Sequence, residues 1–218
     1  MGASKRFDQK IKDGQGIARL PPTLATYKRV LVVCEGKKTE PNYFEGLANE
    51  LKIKTANIKI TGESGSAPKS VVDHAKNLCQ HAENIGNSFE KVYCVIDKDR
   101  HPDYPNTLEQ IRQLESKGFH AIPSVPCFEY FLLLHFKYTT KPFPKCKQVE
   151  SALKEHLPDY DKGDKNMFAN FSGHLETAKT NAAKSLAHAN NSETDNPSTK
   201  AHELVQYMQD LKEKRKTP

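Results

Sequence analysis

Hydrophobic positions along the chain gather into short, continuous runs rich in β-branched residues, separated by amphipathic stretches of helical spacing. Arg29-Val30-Leu31-Val32-Val33-Cys34 is the first such run, bounded by Glu35-Gly36. It reads as a strand buried on both faces of a parallel sheet. A helix should follow, with Thr39 as its cap, Pro41 in its first turn, and Tyr43, Phe44, Leu47 and Leu51 at helical spacing. The pattern then repeats. Residues 57–61 alternate like a short strand, and Pro68 opens a helix with Val71, Val72, Ala75, Leu78, Cys79 and Ala82 on one face. Residues 91–96 form a second buried run, stopped by Asp97-Lys98-Asp99-Arg100, and 107–117 read as a helix ended by Gly118. A fourth strand over 120–125 and an apolar helix over 128–136 complete the series.

Strand and helix thus alternate four times with no hairpin signal between them. Parallel strands need crossover connections, so the expected fold is α/β: a mostly parallel four-stranded sheet flanked by helices. Beyond the Pro-rich link at 140–145 the chain turns polar and helical, with helices expected over 147–156, 174–189 and 199–215. The division that follows is a basic N-terminal arm (1–28), an α/β core (29–138) and a helical C-terminal extension packed on it (139–218). The chain ends in a basic run, Lys212-Glu213-Lys214-Arg215-Lys216.

Composition narrows the function classes. At 218 residues the chain is long enough for a well-filled core without staples. Its mean hydropathy of −0.73 and the absence of an apolar run near the roughly 20 residues a bilayer requires exclude an obvious membrane span. The polar start, with no apolar h-region, shows no signal peptide, so a cytoplasmic protein is expected. Five cysteines without CxxC pairing argue against a disulfide framework or a zinc site, and the nine histidines have no ligand spacing. A formal charge of +6 permits an anionic partner without requiring one.

Candidate chemistry sits at the carboxyl ends of the strands, where open parallel sheets gather ligands. Glu35 follows the first strand, and Asp97 and Asp99 follow the third. Extended alternation would put both aspartates on one side, within reach of one hard cation, and convergent carboxylates are ordinarily relieved by a divalent metal such as Mg²⁺. Each acid alone reads more readily as a cap or a loop solvator, and only their combination points to a metal. Lys37 and Lys38, beside Gly36 and just before a helix N-terminus, suit a phosphate. Gly36-Lys37 is not a P-loop, because Leu31 and Lys38 stand where Gly and Ser or Thr are needed.

Leu31-Val32-Val33-Cys34-Glu35-Gly36 together with Asp97-Lys98-Asp99 resembles the Toprim domain. More narrowly, the chain resembles the RloB-like family in four ordered blocks: 33–44, 95–99, 126–136 (Pro126-Cys127-Phe128-Glu129 onward) and 196–199 (Asn196-Pro197-Ser198-Thr199). The resemblance runs from about Arg29 to Tyr207. It implies a metal-dependent phosphodiester-cleaving nuclease, acting on DNA or RNA (transfer RNA included), in anti-phage defence of the abortive-infection type beside an AAA- or ABC-type ATPase partner. Carried onto this sequence, Glu35, Asp97, Asp99 and Lys37 would be catalytic. Glu35, Asp97, Asp99 and Glu129 would hold Mg²⁺ or Mn²⁺, and Lys37, Lys38, Arg100 and His101 would contact nucleic acid. Glu129 reads equally as a helix-start acid. Tyr160, Lys162, Ser198, Thr199 and His202 match later family positions that spacing assigns no role. A DxD phosphatase and a noncatalytic nucleic-acid-binding regulator are the alternatives, and a homo-oligomer is allowed.

Overall fold

The computed structural model describes residues 29–65, 67–99 and 101–213; the expected N-terminal arm, Arg100 and the Lys214-Arg215-Lys216 tail lie outside the described residues. The described chain is α/β. Its strands are β1 (Val30–Cys34), β2 (Ile58–Thr61), β3 (Lys91–Asp97), β4 (Phe119–Val125) and β5 (Ser198–Thr199). Its helices are α1 (Thr39–Glu50), α2 (Pro68–Asn84), α3 (Tyr104–Gln113), α4 (Glu129–Leu133), α5 (Cys146–Lys154), α6 (Leu175–Asn190) and α7 (Ala201–Glu213). The sheet order is β2-β1-β3-β4-β5, parallel throughout except for β5, which runs antiparallel to β4. This mostly parallel sheet with helices on both faces is consistent with a Toprim-like fold.

Period-two alternation sorts the strand residues onto two cores. Val30, Val32, Cys34, Tyr93, Val95 and Ile122 face one cluster, which α1, α4, α5, α6 and α7 complete with residues such as Phe44, Phe131, Val149, Ala182 and Leu204. Leu31, Val33, Val92, Cys94 and Ile96 face the other, covered by Val71, Val72 and Ala75 of α2 and Ile111 of α3. With apolar partners on both sides, the central strands had to be continuous hydrophobic runs. Residues beyond 139 therefore share a core with the sheet.

All four expected strands form; a fifth was not expected. β5 is two polar residues long, too short to carry a strand signal, and it exists because the β4 edge offers Val125 and Ser124 as partners. Its Thr199 hydroxyl meets that of Ser124 at 2.9 Å. Most other boundaries shift by only one or two residues, but three helices differ more in cap or extent. Thr39 is the first residue of α1 and not its cap, and Lys38 precedes it. The helix expected at 107 starts at Tyr104 with a proline in its first turn, and the one expected over 128–136 is the short α4. α3 itself ends at Gln113, and Gly118 ends the 3-10 turn Glu115–Lys117 that follows it: its φ is +84°, and a Cβ there would collide with the Glu90 carbonyl.

A buried aromatic cluster ties α1 to the C-terminal half. Tyr43 packs edge-on against Phe128, Phe131 and Phe168, and its hydroxyl lies 3.0 Å from His135 Nε2. His135 Nδ1 lies 3.1 Å from the Phe131 carbonyl, so the neutral imidazole can donate there while accepting from Tyr43. Burial pushes the His135 pKa down from 6.5 to about 4.

Two predictions follow from this packing. Leu204→Ala, which truncates a fully buried α7 side chain, should cost about 2–5 kcal/mol in chemical denaturation; a loss under 1 kcal/mol would mean α7 is not integral to the core. Because His135 takes up its proton more readily unfolded than folded, its contribution is intact above about pH 6.5 and is lost as the pH falls towards 4. The stability difference between the native chain and His135→Gln should therefore shrink over that window, and a difference independent of pH would refute the buried neutral imidazole.

A carboxylate site at the strand switch point

From β1 the chain steps to β2 on one side and later to β3 on the other, so the strand order reverses between β1 and β3. Crossovers leave this point in opposite directions and open a crevice beyond the carboxyl ends of the two strands. Their register, with Cys34 opposite Val95, sets Glu35 directly beside the end of β3. The Glu35 N–H donates to the Val95 carbonyl at 3.1 Å, and the Asp97 N–H donates to Glu35 Oε2 at 3.1 Å. An open cavity of about 480 Å³ lies over this point.

Six carboxylates line that cavity, Glu35, Glu40, Asp97, Asp99, Glu129 and Glu150, against the three lysines Lys37, Lys38 and Lys162. The acid excess is mostly buried: Glu35 is 9% exposed, Glu40 4% and Glu129 4%. Burial raises the pKa of Asp97 well above its ordinary value, and the charges of Glu40, Glu129 and Glu35 raise it further. Although Asp97 as a residue is partly exposed, its Oδ1 is buried and has no hydrogen-bond partner among the described residues. Burial also raises Glu35, offset in part by the Asp97 N–H and by His101, whose Nε2 lies 3.3 Å from Glu35 Oε1. Glu40 is pushed up to about 7, again mainly by burial and then by Glu129 and Glu35.

Glu40 was not among the expected site residues. It reaches the cavity because α1 starts one turn after β1, and the Gly36 N–H donates to its Oε1 at 3.0 Å. A Cβ at Gly36 would run into the Glu40 carboxylate where it now lies, so glycine lets that side chain approach this backbone closely. The signal was visible as the second acid of Glu35-Gly36-Lys37-Lys38-Thr39-Glu40, but a helix-start Glu has an ordinary explanation.

The structure brings Glu35, Asp97, Asp99, Glu129, Lys37, Lys38 and His101 to one cavity, while Arg100 lies outside the described residues. Asp99 is not an extended continuation of the strand. β3 ends at Asp97, the Lys98 N–H donates to Ser124 O, and Asp99 turns into the left-handed region at φ +29° with its N–H on Pro126 O at 3.0 Å. The chain thus turns before simple alternation can align the two aspartates. Lys98 points away to Asp195 at 2.8 Å.

Residues without an expected role surround Glu129. Lys162 Nζ lies 2.7 Å from Glu129 and 2.8 Å from Glu150, and Tyr160 OH donates to Glu129 Oε1 at 3.4 Å. Burial alone would lower the Lys162 pKa, but the two glutamates raise it above its ordinary value. Cys146 Sγ lies 3.0 Å from Glu129 Oε2, and it is bridged to Cys127. This corrects the expectation from cysteine count: the bond joins positions 19 apart that only the tertiary fold brings together. Cys127, Glu129 and Cys146 have ligand atoms within 4.8 Å of one another, although bridged sulfurs are poor metal ligands. Among the described residues, His202 Nδ1 is buried without a hydrogen-bond partner and His202 does not line the cavity.

The donor set around Asp97 is hard oxygen, which fits Mg²⁺ or Mn²⁺, and the partnerless Asp97 Oδ1 is the atom a cation would satisfy first. Among the described residues, no helix is long and apolar enough to cross a membrane. No curated protein and no solved structure matches the chain. The family model described as RloB-like protein matches residues 30–208, from the first strand into the last helix and across every residue of the cavity. The chain belongs to the RloB-like family.

Proposed function

We propose that this chain is a metal-dependent nuclease cleaving phosphodiester bonds of DNA or RNA, transfer RNA included, and that it is the effector of an anti-phage defence system with an ATPase partner. The observation that carries the reading is Asp97: an aspartate with a buried, partnerless oxygen, crowded by Glu35, Glu40 and Glu129 at the switch point. Such crowding is costly in a protein that leaves it uncompensated, and a divalent cation is the ordinary relief. Asp97, Asp99 and Glu129 would hold the ion, with Glu35 either a further ligand or the acid–base group, and Glu40 joins them as a candidate ligand. Bound there, Mg²⁺ or Mn²⁺ supplies positive charge for the oxygens of a phosphodiester.

The chain's own residues do the rest. Lys37 and Lys38 are exposed on the turn before α1, so a nucleic-acid phosphate can meet them and the N-terminal N–H groups of the helix together. Glu35, with a raised pKa and His101 at 3.3 Å, is the group to take a proton from an attacking water and return it to the leaving oxygen. Lys162 and Tyr160 hold Glu129 in place against its neighbours.

The deciding experiment incubates the native chain and Asp97→Ala with plasmid DNA, single-stranded DNA and bulk transfer RNA, with and without Mg²⁺ or Mn²⁺, alone and with the ATPase partner. Cleavage should require metal and fall at least 100-fold in Asp97→Ala, on the order expected for loss of a principal electrostatic stabiliser. Identical behaviour of the two proteins under every condition would refute the nuclease. Release of phosphate from a simple monoester, lost in the variant, would identify a phosphatase instead, and metal-independent binding without cleavage a regulator.

Glu40→Gln separates site from scaffold. Gln keeps the acceptor for the Gly36 N–H but removes one charge from the cluster. The metal-free variant should melt a few degrees higher than the native chain near pH 8, because charge repulsion is relieved, while its Mn²⁺ affinity drops about tenfold by calorimetry. A lower melting temperature would mean the Glu40 charge is compensated within the fold.

A further inference from the structure

Cys127 and Cys146 stand in the wall of the carboxylate cavity, one two residues before Glu129 and the other at the first residue of α5. Cys127 is 2% exposed, whereas Cys146 is only partly buried and can be reached from the cavity mouth. The two oxygens of Glu129 have different partners. Oε1 takes Lys162 at 2.7 Å and the Tyr160 hydroxyl at 3.4 Å, while Oε2 faces Cys146 Sγ at 3.0 Å. That last contact differs in meaning between two oxidation states. A Cys146 thiol carries a proton to donate to Oε2; a bridged Cys146 carries none.

We propose that Cys127 and Cys146 form a reversible dithiol–disulfide couple that sets the cation affinity of the adjoining site, by engaging Glu129 Oε2 when reduced and releasing it when bridged. The proposal rests on the metal-site reading above. In the dithiol, a cation seeking Glu129 must displace a hydrogen bond to a charged oxygen, an interaction worth more than one between neutral groups. In the disulfide, Oε2 is free of that donor while Lys162 and Tyr160 still orient the carboxylate through Oε1.

The oxidant is a low-molecular-weight disulfide such as oxidised glutathione. Cys146 sulfur attacks it, forming a mixed disulfide and expelling one glutathione, which carries off a proton. Cys127 sulfur then attacks Cys146 Sγ, forming the bridge and expelling the second glutathione with the second proton. Two cysteine thiols are oxidised and one small disulfide is reduced to two thiols. The more accessible Cys146 is the one that meets the reagent, and the buried Cys127 resolves the intermediate.

The test uses the full chain equilibrated in oxidised glutathione or in dithiothreitol, with the bridge counted by peptide mass mapping and Mn²⁺ binding measured by calorimetry. The Cys127–Cys146 bridge should form and reverse, and the bridged chain should bind Mn²⁺ about tenfold more tightly than the dithiol. Two variants that cannot bridge separate the donor from the crosslink. Cys146→Ala lacks the donor and should bind as tightly as the bridged chain in either buffer, while Cys146→Ser retains a hydroxyl donor and should bind as weakly as the dithiol. Equal Mn²⁺ affinity in both oxidation states, with binding abolished by Asp97→Ala, overturns the couple's role and leaves the metal site standing. No Mn²⁺ binding by any form overturns both readings. A bridge that never forms in oxidised glutathione, or variants that follow the crosslink and not the donor, also overturns the proposal.

Discussion

Mutual repulsion among carboxylates buried at the end of a parallel sheet is the constraint around which the rest of this molecule is arranged. Glu35 and Asp97 are not free to move apart, because adjacent strands deliver them in register and the Asp97 N–H is bonded to Glu35. Glu40 and Glu129 come from the first turns of two helices that pack on the same face of the sheet, so they converge on the same point. The raised pKa values of Glu35, Glu40 and Asp97 express a standing cost of holding charge there. Two apolar cores, one on each face of the sheet, supply the stability that offsets it.

The C-terminal helices are better understood as the second half of the site than as an appendage. α5 contributes Cys146 and Glu150 to the cavity and the loop after it contributes Lys162; Cys146, Lys162 and the nearby Tyr160 all contact Glu129, and Glu150 shares Lys162 with it. The same helices bury Val149, Leu153, Leu204 and Val205 in the core that Val30 and Val32 line from the sheet. β5 closes the β4 edge through the Ser124 and Thr199 hydroxyls, and the loop before it holds Lys98 through Asp195. Residues far apart in sequence thus share one core and one rim, and truncating the extension would unpair both.

The sheet was legible because buried parallel strands must be apolar on both faces, and such runs stand out in a chain that is otherwise polar. β5 was not legible: two hydroxyl residues form a strand only because an edge is waiting for them. Within the site, Glu35, Asp97 and Asp99 could be read because acids directly after buried strands have a fixed destination. Glu40 could not be separated from an ordinary helix-start acid, since its role depends on the close approach that Gly36 permits. The Glu129–Lys162–Glu150 group and the Cys127–Cys146 bond follow from tertiary packing alone, and no spacing along the chain encodes them.

Asp97 and Asp99 share a motif but not a mechanical state. Asp97 is the last residue of a central strand, with its N–H engaged by Glu35 and one oxygen sealed from solvent. Asp99 lies two residues on in a left-handed turn, exposed, and held by its N–H on Pro126 O and by the neighbouring Lys98–Asp195 pair. A non-glycine residue in that conformation is strained, and strain of this kind survives where surrounding contacts over-determine it. In the proposed metal site the fixed aspartate would therefore set where a cation sits. The exposed one would complete its coordination by side-chain rotation alone, leaving the strand ladder intact. On that reading, an ion and a phosphate would enter the cavity without any movement of the sheet.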